Sequence, residues 1–158
     1  MRRLLTFAML IALAVPASSA ARERSPTDGT LSVRDARGTI VLNVRGGVIG
    51  SFAQGSVRIV DPVEGDGTGP IVSGDEFRKE IDEKTDIYRG TRVRFRIIGG
   101  AFKVVVKGRG INLSLVGKGT VTLNGAGTGD DGTYSVNGGE YSPIPDFLFP
   151  FPLSATSP

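Results

Sequence analysis

Five basic side chains recur at alternating positions within one short stretch of the chain. Alternate residues of a β-strand share a face, so guanidinium and ammonium groups in this pattern would form one charged surface. Such groups bind phosphate, sulfate or carboxylate through charge-assisted hydrogen bonds. The pattern predicts a site for a polyanion, such as an acidic glycan or a phosphate-rich envelope polymer. The candidate anion-binding residues are Arg92, Arg94, Arg96, Lys103 and Lys107.

A plainer interpretation of the same charges stays open. On a hairpin, Arg96 would face Lys103 and Arg92 would face Lys107, and opposed like charges destabilise a sheet. Residues 61–86 hold nine acidic and three basic side chains, whereas residues 87–129 hold eight basic and no acidic ones. The acidic segment, or the acidic residues of 130–146, could therefore cover the basic face, or water could solvate it. Nucleic acid is not expected as a partner, because no aromatic side chains lie on that face for base stacking.

Acidic side chains also cluster in two glycine-rich loops. Carboxylate oxygens are the ligands that calcium prefers, and calcium is abundant outside cells. Neither loop matches the twelve-residue EF-hand pattern or a repeated calcium-binding nonapeptide, so ordinary acidic turns explain them equally. The candidate metal ligands are Asp61, Glu64, Asp66, Asp130 and Asp131.

The chain has neither cysteine nor histidine. This composition excludes thiol catalysis, cysteine-ligated metals, histidine-based triads and ordinary catalytic zinc sites. A pair of carboxylates in a cleft would be the remaining route to hydrolysis. No acidic residue stands alone inside an apolar strand, where burial would raise its pKa. We therefore expect a protein that is not an enzyme and needs no cofactor, with an unusual carboxylate hydrolase as the alternative.

The first twenty residues have the pattern of a secretory signal peptide. Arg2 and Arg3 precede an apolar run over residues 4–15, and residues 18–20 supply the small side chains of a cleavage site. The run is too short to cross a bilayer, which needs about 20 apolar residues. We expect cleavage after Ala20, a flexible mature N-terminus over 21–29, no later transmembrane segment and a periplasmic or extracellular location. Loss of both arginines lowers the net charge from +3 to +1.

The clearest structural pattern lies in residues 92–107. Apolar and basic residues alternate on both sides of Gly99-Gly100. Glycine reaches positive φ without steric cost, so this pair suits a tight two-residue turn. A hairpin over 92–107 would place the apolar side chains on one face and the basic ones on the other. The predicted apolar face comprises Val93, Phe95, Ile97, Phe102, Val104 and Val106.

Alternation with glycine punctuation continues through residues 30–153, which predicts a single all-β domain followed by a tail over 154–158. Strands that recur every 8–10 residues between glycine turns are typical of an antiparallel β-sandwich or barrel. A small β-helix is the alternative. Between the two halves, residues 73–76 resemble a helix capping box, and Phe77 and Ile81 stand one turn apart. One short helix is therefore expected there.

The C-terminal residues predict a second hairpin and an apolar edge segment. Asn137-Gly138 suits a tight turn after the strand-like residues 134–136. Pro150 and Pro152 alternate with apolar residues near the end of the chain. Because proline cannot donate a ladder hydrogen bond, such a segment belongs at the edge of a sheet.

The glycine and strand patterns of residues 94–103 and 108–124 resemble those of small exported bacterial β-rich proteins of unassigned function. The likeness spans Gly38 to Gly125, over half of the chain. It implies export and a β fold, and it carries over no functional residue. We expect a structural or binding domain of the cell envelope or extracellular space, of unknown partner, with polyanion binding by the basic hairpin as the first alternative.

Overall fold

The computed structural model describes residues 25–63 and 65–157. This part of the chain folds into eight β-strands without a helix, so the predicted all-β class is confirmed. The strands are Gly29–Val60 (β1), Thr68–Ser73 (β2), Phe77–Asp82 (β3), Thr85–Ile98 (β4), Ala101–Gly125 (β5), Thr133–Val136 (β6), Ser142–Pro143 (β7) and Phe149–Leu153 (β8).

All of the strands belong to one antiparallel sheet. Its main order is β2-β4-β1-β5-β8; β3 also pairs with β4, while β6 pairs with β1 and β7. The antiparallel prediction is therefore correct, and the sheet is not closed into a barrel. Across residues 25–63 and 65–157, no helix has the length and apolar character needed to span a membrane.

The two long strands wind around each other. Residues 29–45 of β1 pair with residues 117–101 of β5, and residues 38–60 of β1 pair a second time with residues 125–103. The middle of each strand therefore has the same partner strand on both of its edges. This is only feasible when the two-stranded ribbon coils back against itself, so the sheet bends repeatedly.

Rows of glycine mark the bends. A Cβ atom on Gly38 would lie 2.2 Å from the Asn124 carbonyl oxygen, and one on Gly55 would lie 2.2 Å from the Lys107 carbonyl oxygen. Only glycine permits backbones to approach this closely. The first row, in sheet order, is Gly90, Gly55, Gly108, Gly38 and Gly125. The second row contains Gly46, Gly117 and Gly29.

The bends divide the sheet into two layers that share one core. We call front layer the residues 91–98 of β4, 46–55 and 29–38 of β1, and 108–117 of β5. We call back layer the residues 85–90 of β4, 55–60 and 38–46 of β1, and 101–108 and 117–125 of β5. Alternate side chains of both layers are buried in a single hydrophobic cluster. The outer faces of the layers therefore point in opposite directions.

The predicted hairpin over 92–107 is wrong. Residues 94–96 of β4 have β1 on one edge and β2 on the other, and residues 103–106 of β5 have β1 on both edges. Gly99 and Gly100 adopt φ of 74° and 82°, but they form a corner that leads from the front layer to the back layer. The six predicted apolar side chains are nevertheless buried, each at most 5% exposed.

The predicted helix after residue 76 is also wrong. Residues 77–82 form strand β3, which pairs with residues 85–89 of β4. Glu76 Oε1 accepts hydrogen bonds from the Thr91 N–H (3.2 Å) and the Thr91 hydroxyl (2.5 Å) rather than capping a helix. Phe77 and Ile81 share a face of a strand just as they would share a face of a helix, so the sequence signal was ambiguous.

The C-terminal predictions are confirmed. Asn137 and Gly138 adopt positive φ of 52° and 74° at a turn after β6. The proline-containing strand β8 lies at the edge of the sheet, paired with residues 119–123 of β5. In the expected tail, the Asn137 side-chain amide donates to the Ser154 carbonyl at 2.9 Å. The predicted signal peptide lies outside the described residues.

Candidate functional site

The predicted basic patch is divided between the two outer faces. Arg94 and Arg96 are exposed on the front layer, whereas Lys103 and Lys107 are exposed on the back layer. Arg92 is exposed at the first glycine row with a left-handed φ of 58°, so it does not follow the alternation. The prediction that these five cations share one face is therefore wrong, because the hairpin on which it depended does not form.

The described residues of the acidic segment form no ion pair with these five cations. In the described chain the ion pairs are Arg45–Asp66, at 2.9 Å, and Arg78–Asp86, at 3.1 Å. Asp66 also accepts the Ala101 backbone N–H at 3.0 Å. Its carboxylate thus anchors its loop to Ala101, next to the Gly99-Gly100 corner. None of the five predicted cations has an acidic partner among the described residues.

A groove at the second glycine row combines apolar and cationic side chains. It has a volume of about 640 Å³, which lies in the range of small-molecule sites. Three aliphatic side chains in it are exposed to solvent: Ile49 by 60%, Ile98 by 40% and Val116 by 37%. Aliphatic clusters of this kind on a polar surface commonly mark binding sites. We call this feature the corner groove.

Gly47 forms part of the floor of the corner groove. It pairs with Val116 on one side, and Ile98 lies on the β4 side, one step beyond the Val48–Ile97 pair. A Cβ atom at position 47 would make only ordinary contacts, 3.5 Å from the Ile97 carbonyl oxygen. The gap between the two aliphatic walls therefore exists because this position lacks a side chain.

Three cations border the groove. Arg45 and Lys118, back-layer residues next to the second glycine row, are directly opposite each other at one end, and Arg96 of the front layer flanks Ile49 on the neighbouring strand. The groove therefore spans the bend between the two layers. Asp28 is the carboxylate that the described residues contribute to the lining, and it accepts the Ser25 N–H at 3.2 Å. Like charges on opposed residues repel each other, and Asp66 offsets that repulsion by pairing with Arg45.

Sequence reasoning missed the corner groove, although one signal for it was present. Ile49, Ile98 and Val116 occupy outward positions of their strands, where polar residues alternate with the buried ones. An aliphatic residue that breaks this alternation on the solvent side is informative. Their convergence could not be read from the sequence, since it depends on pairing between residues 47 positions apart for Ile49 and Arg96 and 69 positions apart for Gly47 and Val116.

A second groove, of about 440 Å³, lies between β6 and β8. Its rings pack on one another, with the centroids of Tyr134 and Phe151 6.0 Å apart and those of Phe149 and Phe151 5.7 Å apart. Glu140 is its single charged lining residue. It is therefore an aromatic edge of the core with one acidic side chain, in contrast to the cationic corner groove.

The predicted metal ligands do not come together among the described residues. Asp131 accepts hydrogen bonds from the Gly127 N–H (2.6 Å) and the Thr128 hydroxyl (2.5 Å), which close its loop. The Thr128 hydroxyl lowers the pKa of the Asp131 carboxyl most; burial raises it, and the backbone N–H groups of Gly127 and Thr128 lower it further, so that it lies below its ordinary value. Asp130 is exposed, and Asp61 lies at the end of β1.

Within the described ranges there is no group of three or more acidic side chains suited to hold a metal ion. Asp66 is engaged with Arg45, and Glu64 lies outside the described residues. The two acidic loops of the calcium hypothesis therefore have separate structural roles.

Comparison with known proteins gives no relative: no family model, no curated protein and no solved structure matches the chain.

Proposed function

We propose that this protein is an exported, non-enzymatic binding domain of the cell envelope or extracellular space that takes an anionic ligand in the corner groove. One observation carries the proposal: three exposed aliphatic side chains and three cations border the same depression of about 640 Å³. Aliphatic walls bury the apolar part of a ligand, and cations at the border attract and orient its charge.

The sign of the charge favours an anion. Among the described residues, the groove lining carries Arg45, Arg96 and Lys118 against the carboxylate of Asp28, and Asp66 pairs with Arg45 beside it. Because Arg45 and Lys118 are opposed on neighbouring segments of the sheet, a bound anion between them would relieve their repulsion. Arg96 and Lys118 have no ion-pair partner among the described residues, so both are available to a ligand.

The alternatives have weaker support. A polyanion site on the predicted basic hairpin would need Arg94 and Lys103 on one surface, whereas they lie on opposite faces. A carboxylate hydrolase needs two convergent carboxyl groups, and the corner groove contains one. Export rests on the signal-peptide pattern of residues 1–20.

The test compares two double variants of equal charge change. Binding of monomeric dodecyl phosphate is measured by isothermal titration calorimetry at low salt. We expect Arg96→Gln/Lys118→Gln to weaken binding by roughly tenfold or more, because charge-assisted contacts are lost. The matched control, Lys103→Gln/Lys107→Gln, removes two cations that do not line the groove and should change affinity less than about twofold, since exposed distant charges are screened.

Equal weakening by both double variants would indicate a general effect of net charge and would contradict a site in the corner groove. Absence of binding by the unmodified protein to any anionic probe at millimolar concentration would overturn the proposal.

A further inference from the structure

We infer that the ligand of the corner groove is a single-chain anionic amphiphile: one hydrocarbon chain that ends in a phosphate or a carboxylate. This inference rests on the proposed function and narrows it from anions in general to one chemical class. It follows from the order of residues at alternate positions of β1, where a cation is followed by a glycine and then by an aliphatic residue.

The floor supplies a track for a chain. Along the outer face of β1, Arg45 is followed by Gly47 and then by Ile49. Ile98 and Val116 stand on either side of Gly47, 40% and 37% exposed. A linear aliphatic chain laid along β1 would fill the position of the missing side chain and contact both walls. Burial of each methylene group contributes about 0.8 kcal/mol, so the chain would supply most of the affinity.

The end of the track supplies a site for the head group. Arg45 and Lys118 face each other beside Gly46. The 2.9 Å ion pair with Asp66 Oδ2 restrains the Arg45 guanidinium, which has further N–H donors that this contact does not use. A phosphate or carboxylate placed between Arg45 and Lys118 would accept hydrogen bonds from both. The track from residue 45 to residue 49 is at most about 13 Å long, at about 3.3 Å per residue.

Other anionic ligands fit less well. An acidic glycan usually stacks its rings on aromatic side chains, and the described residues of the groove lining include none. A long polyanion gains affinity from a continuous row of charges. In the groove, Gly47 and Ile49 separate Arg45 from the position of Arg96. The exposed area of Ile49 would stay in contact with water beside either of these ligands.

The experiment fills the floor with a side chain. Gly47→Leu places an aliphatic side chain where the ligand chain would lie, and Gly47→Ala adds only a Cβ atom that makes ordinary contacts. Monomeric dodecyl phosphate is the probe, measured by titration calorimetry. We expect roughly tenfold or greater weakening by Gly47→Leu and less than about threefold by Gly47→Ala. Ala53→Leu, an exposed site outside the groove on the same strand, controls for an added surface leucine.

Three further probes test the two parts of the ligand. Butyl phosphate should bind at least about a hundredfold more weakly than dodecyl phosphate, since eight methylene groups are missing. Dodecyltrimethylammonium, which has the same chain and the opposite charge, should not bind at the same concentrations. Inorganic polyphosphate has the charge without a chain and should bind weakly and equally to the unmodified protein and to Gly47→Leu.

The outcomes separate this inference from the proposed function. Polyphosphate or butyl phosphate that binds as tightly as dodecyl phosphate and ignores Gly47→Leu would overturn the amphiphile while leaving an anion site. Failure of every anionic probe would overturn both. If Gly47→Leu does not fold, as judged by circular dichroism, Ile49→Asp replaces it. The Ile49 side chain is 60% exposed. Aspartate in its place removes the apolar contact, and its carboxylate would have to lose water beside the bound chain, so dodecyl phosphate binding should be abolished; unchanged affinity would contradict the inference.

Discussion

The two outer faces of the sheet are built from the same strands and differ in one respect that matters for binding. Both carry exposed cations, Arg94 and Arg96 in front and Lys103 and Lys107 behind. The front face also has a glycine at an outward position, between two exposed aliphatic residues. The back layer has polar or half-buried side chains at its outward positions, such as Thr39, Val41 and Asn43 of β1.

The comparison shows that charge alone does not define a binding site on a β-sheet. Exposed cations on a flat strand face are solvated and contribute little. A cation contributes more to the affinity for an anion where it borders an apolar depression, because a ligand there excludes water and strengthens the electrostatic attraction. Here the depression depends on an absent side chain, at Gly47, and not on additional functional groups.

The largest expected effect tests whether both faces depend on one core. Val104 is fully buried in the back layer. Val104→Asp should lower the free energy of unfolding by about 3–5 kcal/mol, because an unpaired charge is buried, and should abolish ligand binding on the front face. Urea denaturation and calorimetry measure both. Lys103→Asp, on the exposed neighbour, should cost less than about 1 kcal/mol. Binding that survives loss of the back layer would contradict the shared core.

The next effect contrasts two glycines of β1. Gly38→Ala should cost about 2–4 kcal/mol, since its φ is 136° and the new Cβ would meet the Asn124 carbonyl oxygen at 2.2 Å. Gly47→Ala should change stability by less than about 0.5 kcal/mol, because it has neither constraint. Thermal unfolding followed by circular dichroism gives both values. Equal costs would mean that the glycine rows are not the points where the sheet must bend.

A smaller effect distinguishes neighbouring positions on the front face. Arg96 lines the corner groove, whereas Arg94, two residues away on the same face, does not. Arg96→Gln should weaken dodecyl phosphate binding by roughly fivefold, equivalent to about 1 kcal/mol. Arg94→Gln should leave the affinity within about twofold. A reversed order in titration calorimetry would move the site to the adjacent depression that Arg94 lines.

The smallest effect concerns the dependence of stability on pH. It arises at Asp131, which lies beside Gly125 of the first glycine row, and not at the cations of the groove. The folded-state pKa of Asp131 lies below its ordinary value of 3.8, so its ionised form stabilises the fold above that pH. This contribution disappears as the pH falls through the lower folded-state value. Asp131→Asn should therefore lower the melting temperature at pH 7, and the difference from the unmodified protein should shrink below about pH 3.8.

The control for this prediction is the exposed neighbour Asp130. Asp130→Asn should leave the melting temperature and its pH dependence unchanged. A constant difference between Asp131→Asn and the unmodified protein down to acid pH would show that the carboxylate charge does not stabilise the loop.

Much of the local structure could be predicted, whereas the site could not. The alternation around Gly99-Gly100 identified the buried residues correctly, and the prolines placed β8 at an edge. The predicted calcium ligands and the predicted basic patch depended on which segments become neighbours. Asp66 forms an ion pair with Arg45, 21 residues earlier in the chain. No pattern in the sequence around either residue predicts that pair.

Which side chains face inward follows from the sequence, because a strand has a period of two and the hydrophobic effect selects one face. It also determined where the chain can bend, because only glycine allows backbones to approach as closely as they do at Gly38 and Gly55. Which strands pair with each other is seen only in the tertiary structure. Alternation specifies the face of a strand and not its neighbour, so β1 could insert between β4 and β5 without changing a single inward residue. That insertion put Arg96 and Lys103 on opposite faces, and it brought Ile49, Ile98 and Val116 together around Gly47.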